Sequence, residues 1–227
     1  MGRIGSTMLH DAGRSNYPVE LFSQRARNAG PEDGFAVKHL DRFLQRWRIR
    51  KVRPFIKQGA EVLDIGSADG VLARYVPGLG HYAGMDPDLR RDEALERGEL
   101  IKGRFPTDLP EPRRFDCSTM LAVLKHIPAA DQVTLAGECA KHLRPGGLLL
   151  ITTPSPAVDI ILDILKLFHV VDGMSLDQHY GFKPSETPDI FAAAGLELVK
   201  AARFQLGLNN LFVFKQPGKS VRQNNLE

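Results

Sequence analysis

The chain has little of what most metal, redox and membrane chemistry needs. Its two cysteines, Cys117 and Cys139, stand alone without a second ligand at C-x-x-C spacing, and no cluster of acids follows the strand-like run Phe115 to Leu121. A zinc site or a disulfide framework is therefore excluded as the organising device, and buried reduced thiols in a cytoplasmic protein are expected. No apolar run approaches the roughly 20 residues that span a bilayer, and the first residues lack a signal-peptide core. Met1-Gly2 with Ser6 matches an acylation pattern only formally. Charge of one sign is also scarce: the net value is +3 over 227 residues, too mild to announce a nucleic-acid partner. With 43% hydrophobic and 25% charged residues, the composition is that of one well-buried α/β domain.

What the chain does have is concentrated in Glu61-Val62-Leu63-Asp64-Ile65-Gly66-Ser67-Ala68-Asp69-Gly70. A short apolar run feeds a glycine turn and then a helical pattern from Val71 to Val76, which reads as a buried parallel strand entering a helix. Gly66 and Gly70 lack a Cβ, and Ser67 and Ala68 are small, so a ligand is expected to approach the backbone amides closely. Asp64 departs from a dinucleotide turn, where a carboxylate two residues before the first glycine would face a pyrophosphate. Asp86 follows Gly66 by 20 residues, at the end of the next apolar segment. That offset, about 20 residues, is where a carboxylate meets a ribose diol in nucleotide-binding βαβ units. A cationic amino-acid portion joined to an unphosphorylated nucleoside satisfies both acids.

These residues resemble the class I S-adenosylmethionine-dependent methyltransferases, in particular the small-molecule group that includes the quinone-biosynthesis C-methyltransferases. The resemblance runs from Gln58 to Pro217 through five pieces in the family's order: Val62 to Gly70, Tyr82 to Asp86, Gly103 to Pro110, Phe115 to Ile127, and Leu143 to Ile151. It implies a Rossmann-like, doubly wound α/β fold: a mostly parallel seven-stranded sheet with an antiparallel last strand and helices on both faces. It implies S-adenosylmethionine as cofactor, with Asp86 on the ribose hydroxyls, Gly66 and Ser67 along the methionine portion, Ala68 and Gly70 also binding the cofactor, and Asp64 orienting its polar end. Pro87, Arg104 and Phe105 would border the nucleoside, and the backbone at Met120 and Leu121 the amino-acid end. Two departures stand out. Arg104 occupies the place of an acid that holds the adenine in the family, which leaves Phe105 or backbone groups for that task. Lys125 occupies the place of a glutamate beside the acceptor.

Methyl transfer from a sulfonium is an in-line displacement, so alignment and exclusion of water matter most and a base is optional. His179 and His126 are the candidate bases, with Tyr180 and Lys125 on the substrate side; each histidine reads equally as a structural group. The acceptor is expected to be a small molecule, by O-, N- or C-methylation, with no nucleic acid, no integral membrane contact, no metal, and a monomer or homodimer. A nicotinamide oxidoreductase and a noncatalytic binding or regulatory relative are the rivals.

The domain is expected over 31–217, after an N-terminal arm 1–30 and before a flexible tail 218–227. A helix from Pro31 to Val52 is predicted with Val37, Leu40, Phe43, Leu44 and Trp47 inward. Its arginines are either a solvated face or a docking strip for an anionic substrate, membrane surface or partner. Leu89 to Gly98 reads as a short exposed helix. A second helix, from about Ala129 to His142, should be closed by Pro145-Gly146-Gly147, and Ser185 should cap a third, ending at Gly195. The insertion 154–180 carries an apolar segment, Val158 to Val171, whose 14 helical residues reach ~21 Å, too short to cross a bilayer. It reads as a lid or wall over the acceptor, a dimer contact, a membrane-surface helix or a plain packing helix.

Overall fold

The computed structural model describes residues 33–155 and 183–218, with side chains from residue 42 onward. Helix α1 (Asp33–Val52) leads through a single 3-10 turn into strand β1 (Glu61–Ile65), helix α2 (Val71–Tyr75) and strand β2 (His81–Asp86). Strands β3 (Glu93–Leu95), β4 (Gly98–Lys102) and β5 (Phe115–Leu121) follow, then α3 (Ala129–Lys141), β6 (Leu143–Pro154), α4 (Thr187–Ala193), β7 (Glu197–Phe204) and β8 (Asn209–Lys215). The arm 1–30, the apolar segment 158–171, His179, Tyr180 and the tail from 219 lie outside the described residues.

All eight strands form one sheet in the order β3-β4-β2-β1-β5-β6-β8-β7. From β4 to β6 the pairing is parallel, and β8 runs antiparallel between β6 and β7. From β1 the chain moves outward through β2 to β4, then returns to β5 on the other side of β1. The strand order thus reverses between β1 and β5, and in open α/β sheets the crevice at such a switch point, beyond the strands' carboxyl ends, is where ligands bind.

Strand periodicity divides the core between the faces. Leu63, Ile65, Met85 and Ile151 pack on one face with Leu135, Ala136 and Cys139 of α3 and Phe191 of α4. Val62, Tyr82, Cys117 and Leu150 pack on the other with Ile49 and Val52 of α1 and Val71 and Leu72 of α2. Both cysteines are buried free thiols, and burial pushes each thiol up, away from thiolate chemistry.

Several sequence expectations need correction. The sheet has eight strands rather than seven, because Leu89 to Gly98 is not helical: β3 pairs antiparallel with β4 in register Leu95↔Gly98. The amide of Lys102 donates to Asp92 Oδ1 at 2.7 Å and fastens that hairpin. An open edge on β4 outweighs weak helix propensity, and charged residues suit a short edge strand. Pro145-Gly146-Gly147 lies inside β6 rather than after α3, with Gly146 N–H donating to Gln216 O and Gln216 N–H to Gly147 O, both at 2.8 Å. Ser185 sits in a 3-10 turn before α4 and makes no capping bond, whereas Gly195 does end α4, at φ +83°. On α1 the fully inward residues are Ile49 and Val52, with Trp47 packed partly against the core as expected, whereas Phe43 is 56% exposed. The side chains of Val37 and Leu40 lie outside the described residues.

At the amino edge of the sheet, Glu61 accepts from Arg113 and Arg144, each at 3.1 Å, while Arg144 Nη1 reaches Asp116 Oδ2 at 2.8 Å. The Arg144 hydrogen bond holds the Glu61 carboxyl below its usual range. A depressed carboxylate contributes stability above its unfolded pKa and loses it as pH falls. Arg144→Ala is therefore expected to cost about 1 kcal/mol at neutral pH, with the loss vanishing in acid, in denaturant melts across pH.

Candidate cofactor crevice at the carboxyl edge

Beyond β1 the chain turns through three positive φ values in alternation: Gly66 at +75°, Ala68 at +48° and Gly70 at +70°. Gly66 is required twice over, because a Cβ there would also stand 2.3 Å from Cγ2 of Val123. Ala68 has no such freedom, and its left-handed backbone costs roughly 1 kcal/mol. Asp86 at the tip of β2 holds it in place: Oδ2 accepts the Ala68 N–H at 2.8 Å, and Oδ1 accepts the Asp88 N–H at 2.9 Å. Pro87 stands between those two bonds, on the rim.

The amides of Gly66 and Ser67 donate to Met85 O at 2.8 and 3.1 Å, and Gly70 N–H donates to Ser67 O at 3.0 Å. Four of the turn's amides are thus engaged within the protein. The turn therefore offers a ligand close approach to Cα atoms and carbonyls rather than an amide cradle, which disfavours a pyrophosphate and leaves room for a cation.

Asp64 lies behind this turn, on the sheet face that carries Val62 and Tyr82. It is 3% exposed, Oδ1 accepts the Thr119 hydroxyl at 2.6 Å, and Oδ2 accepts the Tyr82 hydroxyl at 2.7 Å. The direct grip on a cofactor's polar end expected from the sequence is not open to so buried a group. Asp64 instead supplies position and negative potential from beneath. Burial pushes its carboxyl up to about 6, against the pull of Thr119 and Tyr82, and the Asp86 charge adds to the rise. Burial and the Asp64 charge likewise push the Tyr82 hydroxyl up, so it stays a donor.

Across the crevice, Gly103 follows β4. The chain turns back there so that Asp108 Oδ2 accepts the Arg104 N–H at 2.8 Å and Asp108 N–H donates to Arg104 O at 2.9 Å. A Cβ on Gly103 would lie 2.8 Å from that same carboxylate oxygen. An exposed acid therefore stands over Gly103 although the next residue in sequence is Arg104. Sequence spacing missed Asp108; its only signal was an acid followed by Leu109-Pro110. Phe105 is corrected as well: its ring is 8% exposed, packed edge-on to His142 at 5.1 Å and joined to the core, so no face is free to stack on a base.

The wall beyond β5 begins at Leu121. Met120 is fully buried, and Ala122, at φ +63°, donates to Thr152 O at 2.8 Å, which aims Val123 at Gly66. Lys125 and His126 sit on the 3-10 turn Leu124–His126. Buried Gln132, which sequence reading also missed, donates to Ile127 O at 2.8 Å and secures this segment to α3. Of the histidines with described side chains, His81 belongs to the amino edge and His142 packs on Phe105; only His126 stands on the carboxyl-edge wall. Among the described residues there is no group of three or more His, Cys, Asp or Glu side chains able to hold a metal.

The profile of the methyltransferase domain family matches residues 36–201. The chain belongs to this family. Curated relatives include the ubiquinone biosynthesis O-methyltransferases of Shewanella halifaxensis, 30% identical over 152 residues, and Idiomarina loihiensis, 32% identical over 153. Those matches cover 61% of this chain and 64% and 62% of the relatives, so the similarity spans somewhat under two thirds of their length.

The fold of this methyltransferase domain is shared with the 1,6-didemethyltoxoflavin-N1-methyltransferase of Burkholderia thailandensis, solved with 1,6-didemethyltoxoflavin and S-adenosylhomocysteine. Its TM-score is 0.56 at 18% identity, over 85% of this chain and 96% of that one. The N-methyltransferase NodS of Bradyrhizobium japonicum aligns with a TM-score of 0.55 at 15% identity, over 76% and 96%. At such identities the likeness is one of fold. The turn after β1, the tip of β2 and the segments after β4 and β5 all lie at the carboxyl edge of the sheet in this chain.

Proposed function

We propose that this chain transfers a methyl group from S-adenosylmethionine to the hydroxyl of a small aromatic acceptor. The observation that carries the proposal is Asp86, whose carboxylate braces the strained turn while standing at the β2 tip, where a ribose diol meets an acid. Family membership supports the cofactor, and the curated relatives' names support an oxygen acceptor of the quinone-precursor class. In this reading Asp86 takes the ribose hydroxyls, the Cα edge of Gly66 to Ala68 lies along the methionine portion, and Asp64 holds negative potential under the sulfonium and ammonium. Asp108 accepts from the adenine amino group in place of the acid that Arg104 displaces.

The electrophile is activated already, so this chain's residues mainly align it and exclude water. A phenolic acceptor gains from losing its proton, and in this reading His126, on the turn that follows β5, accepts it. His179, with Tyr180 as its neighbour, is the second candidate for that role.

Titration calorimetry with S-adenosylmethionine and S-adenosylhomocysteine, followed by transfer of a labelled methyl group to catechol-type acceptors, tests the reading. Heat from both nucleosides and label in an ether product are expected. Absence of heat from folded protein rejects the cofactor, and binding without transfer to any acceptor favours the noncatalytic reading.

A further inference from the structure

Positive charge is distributed unevenly along the chain. Residues 42–57 carry seven positive charges and no acid; with +3 overall, the remainder of the chain sums to −4. The stretch is mainly the second half of α1, which turns Ile49 and Val52 into the core. By helical spacing its outward side presents Phe43, Arg46, Arg50 and Lys51, while Trp47 packs partly against the core. Phe43 is 56% exposed, with its ring edge-on to Trp47 at 5.5 Å. Arg46 lies over the Tyr75 ring, 5.4 Å from its centroid.

The β7–β8 turn adds a second protrusion beside this face. Gln205 and Leu206 both take left-handed backbones, at φ +52° and +57°, and Leu206 is 97% exposed. Gln205 Nε2 donates to Leu44 O of α1 at 3.2 Å, and Asn209 Nδ2 donates to Gln205 Oε1, so the turn is tied to the helix. A leucine held in an unfavourable backbone conformation with nearly all its surface in water gains nothing from folding. Because β7 runs parallel to β6, this turn lies at the carboxyl edge of the sheet, the edge on which the crevice opens.

We propose that this face docks on an anionic lipid surface, with Leu206 and Phe43 entering the interface while Arg46, Arg50 and Lys51 meet headgroup phosphates. Cations interleaved with aromatic residues and a projecting aliphatic tip are the chemistry of an interfacial helix. Leu206 favours lipid over nucleic acid, since it offers a nucleic acid neither charge nor a stacking plane. No helix among the described residues is long and apolar enough to cross a membrane, so the contact is peripheral. Docking in this pose brings the crevice to the bilayer, from which an apolar acceptor can enter. That last step rests on the methyltransferase reading; lipid binding itself does not.

Co-flotation of the full chain with phosphatidylglycerol-containing and with pure phosphatidylcholine vesicles decides the matter. Binding to the anionic vesicles alone, lost at high salt, is expected. Each cation near such a surface contributes about five-fold, so Arg46→Gln with Arg50→Gln should weaken binding roughly 25-fold. Leu206→Ser should weaken it about ten-fold without altering the melting curve. Arg90→Gln with Arg91→Gln, next to β3 at the far end of the sheet, should bind as the parent does. Equal binding to both vesicle types, or none to the anionic ones, overturns the proposal. So does displacement by a short oligonucleotide combined with an unaffected Leu206→Ser variant, which would mark a general polyanion site. Vesicle binding with no cofactor heat in calorimetry would remove the enzymatic reading and leave the docking surface standing.

Discussion

Asp86→Ala is expected to weaken S-adenosylmethionine binding by about 100-fold, close to 3 kcal/mol, because the carboxylate performs two tasks at once. Its oxygens accept the Ala68 and Asp88 amides, and each oxygen has further acceptor capacity, which the proposed reading gives to a diol. Loss of charge-assisted bonds to a diol accounts for roughly 1–3 kcal/mol. The remainder comes from Ala68: without its anchor, the left-handed backbone at φ +48° can relax and the turn loses its shape. Asp86→Asn separates the two contributions. It keeps one oxygen to accept an amide but sets an N–H donor against the other, so the turn is partly retained while the charge is gone. Calorimetry should place Asn between parent and Ala, with S-adenosylhomocysteine following the same order. Equal affinities for all three proteins would show that the β2 tip does not hold the ribose.

The second large effect concerns stability. The Asp64 carboxyl has its pKa raised to about 6 from an ordinary 3.8, chiefly by burial. Between those two values the folded protein holds a proton that the unfolded chain has released, so stability falls as pH rises through this window and then levels off. At neutral pH the cost is of order 3 kcal/mol. Asp64→Asn removes the ionisation while preserving shape. Its oxygen accepts one hydroxyl, and its amide donates to the other, since Tyr82 and Thr119 hydroxyls can each accept. The variant is therefore expected to be more stable than the parent at pH 7, by up to about 3 kcal/mol, equally stable near pH 4, and without the downward slope between. Cofactor affinity should fall, because negative potential beneath the sulfonium is lost. Denaturant melts across pH measure the first effect and calorimetry the second. Identical slopes in parent and variant would show that Asp64 does not titrate in this window. The Glu61 site at the other edge has the opposite sign, so Arg144→Ala and Asp64→Asn can be told apart by pH alone.

The parts of the site that could be read from sequence are those set by local chain geometry. A strand of fixed rise, a tight turn and a return helix bring the β2 tip near the β1 turn whatever surrounds them, so counting alone brings Asp86 beside that turn. Gly66 and Gly70 stand out in the sequence because they lack a Cβ, and the turn they form does take positive φ at both. Tyr82 and Thr119 escaped notice as partners of Asp64, since they come from the strands flanking β1 and meet it only through sheet register. Asp108 escaped because its position depends on a loop closing over Gly103, which linear distance conceals. Phe105 was assigned to the nucleoside from its place in the loop, whereas the space beside His142 drew the ring into the core.

The amino-acid order alone determined that strands and helices alternate, that a tight glycine turn follows β1, and that an acid waits about one βαβ unit later. These features depend on side-chain period, on the missing Cβ of glycine, and on short-range geometry. The tertiary structure decided that β3 is a strand, that Asp64 lies under the turn rather than in the crevice, and that Leu206 and Phe43 share a basic face. Those outcomes depend on which surfaces compete for burial once distant segments meet, a competition whose result no short stretch of chain contains.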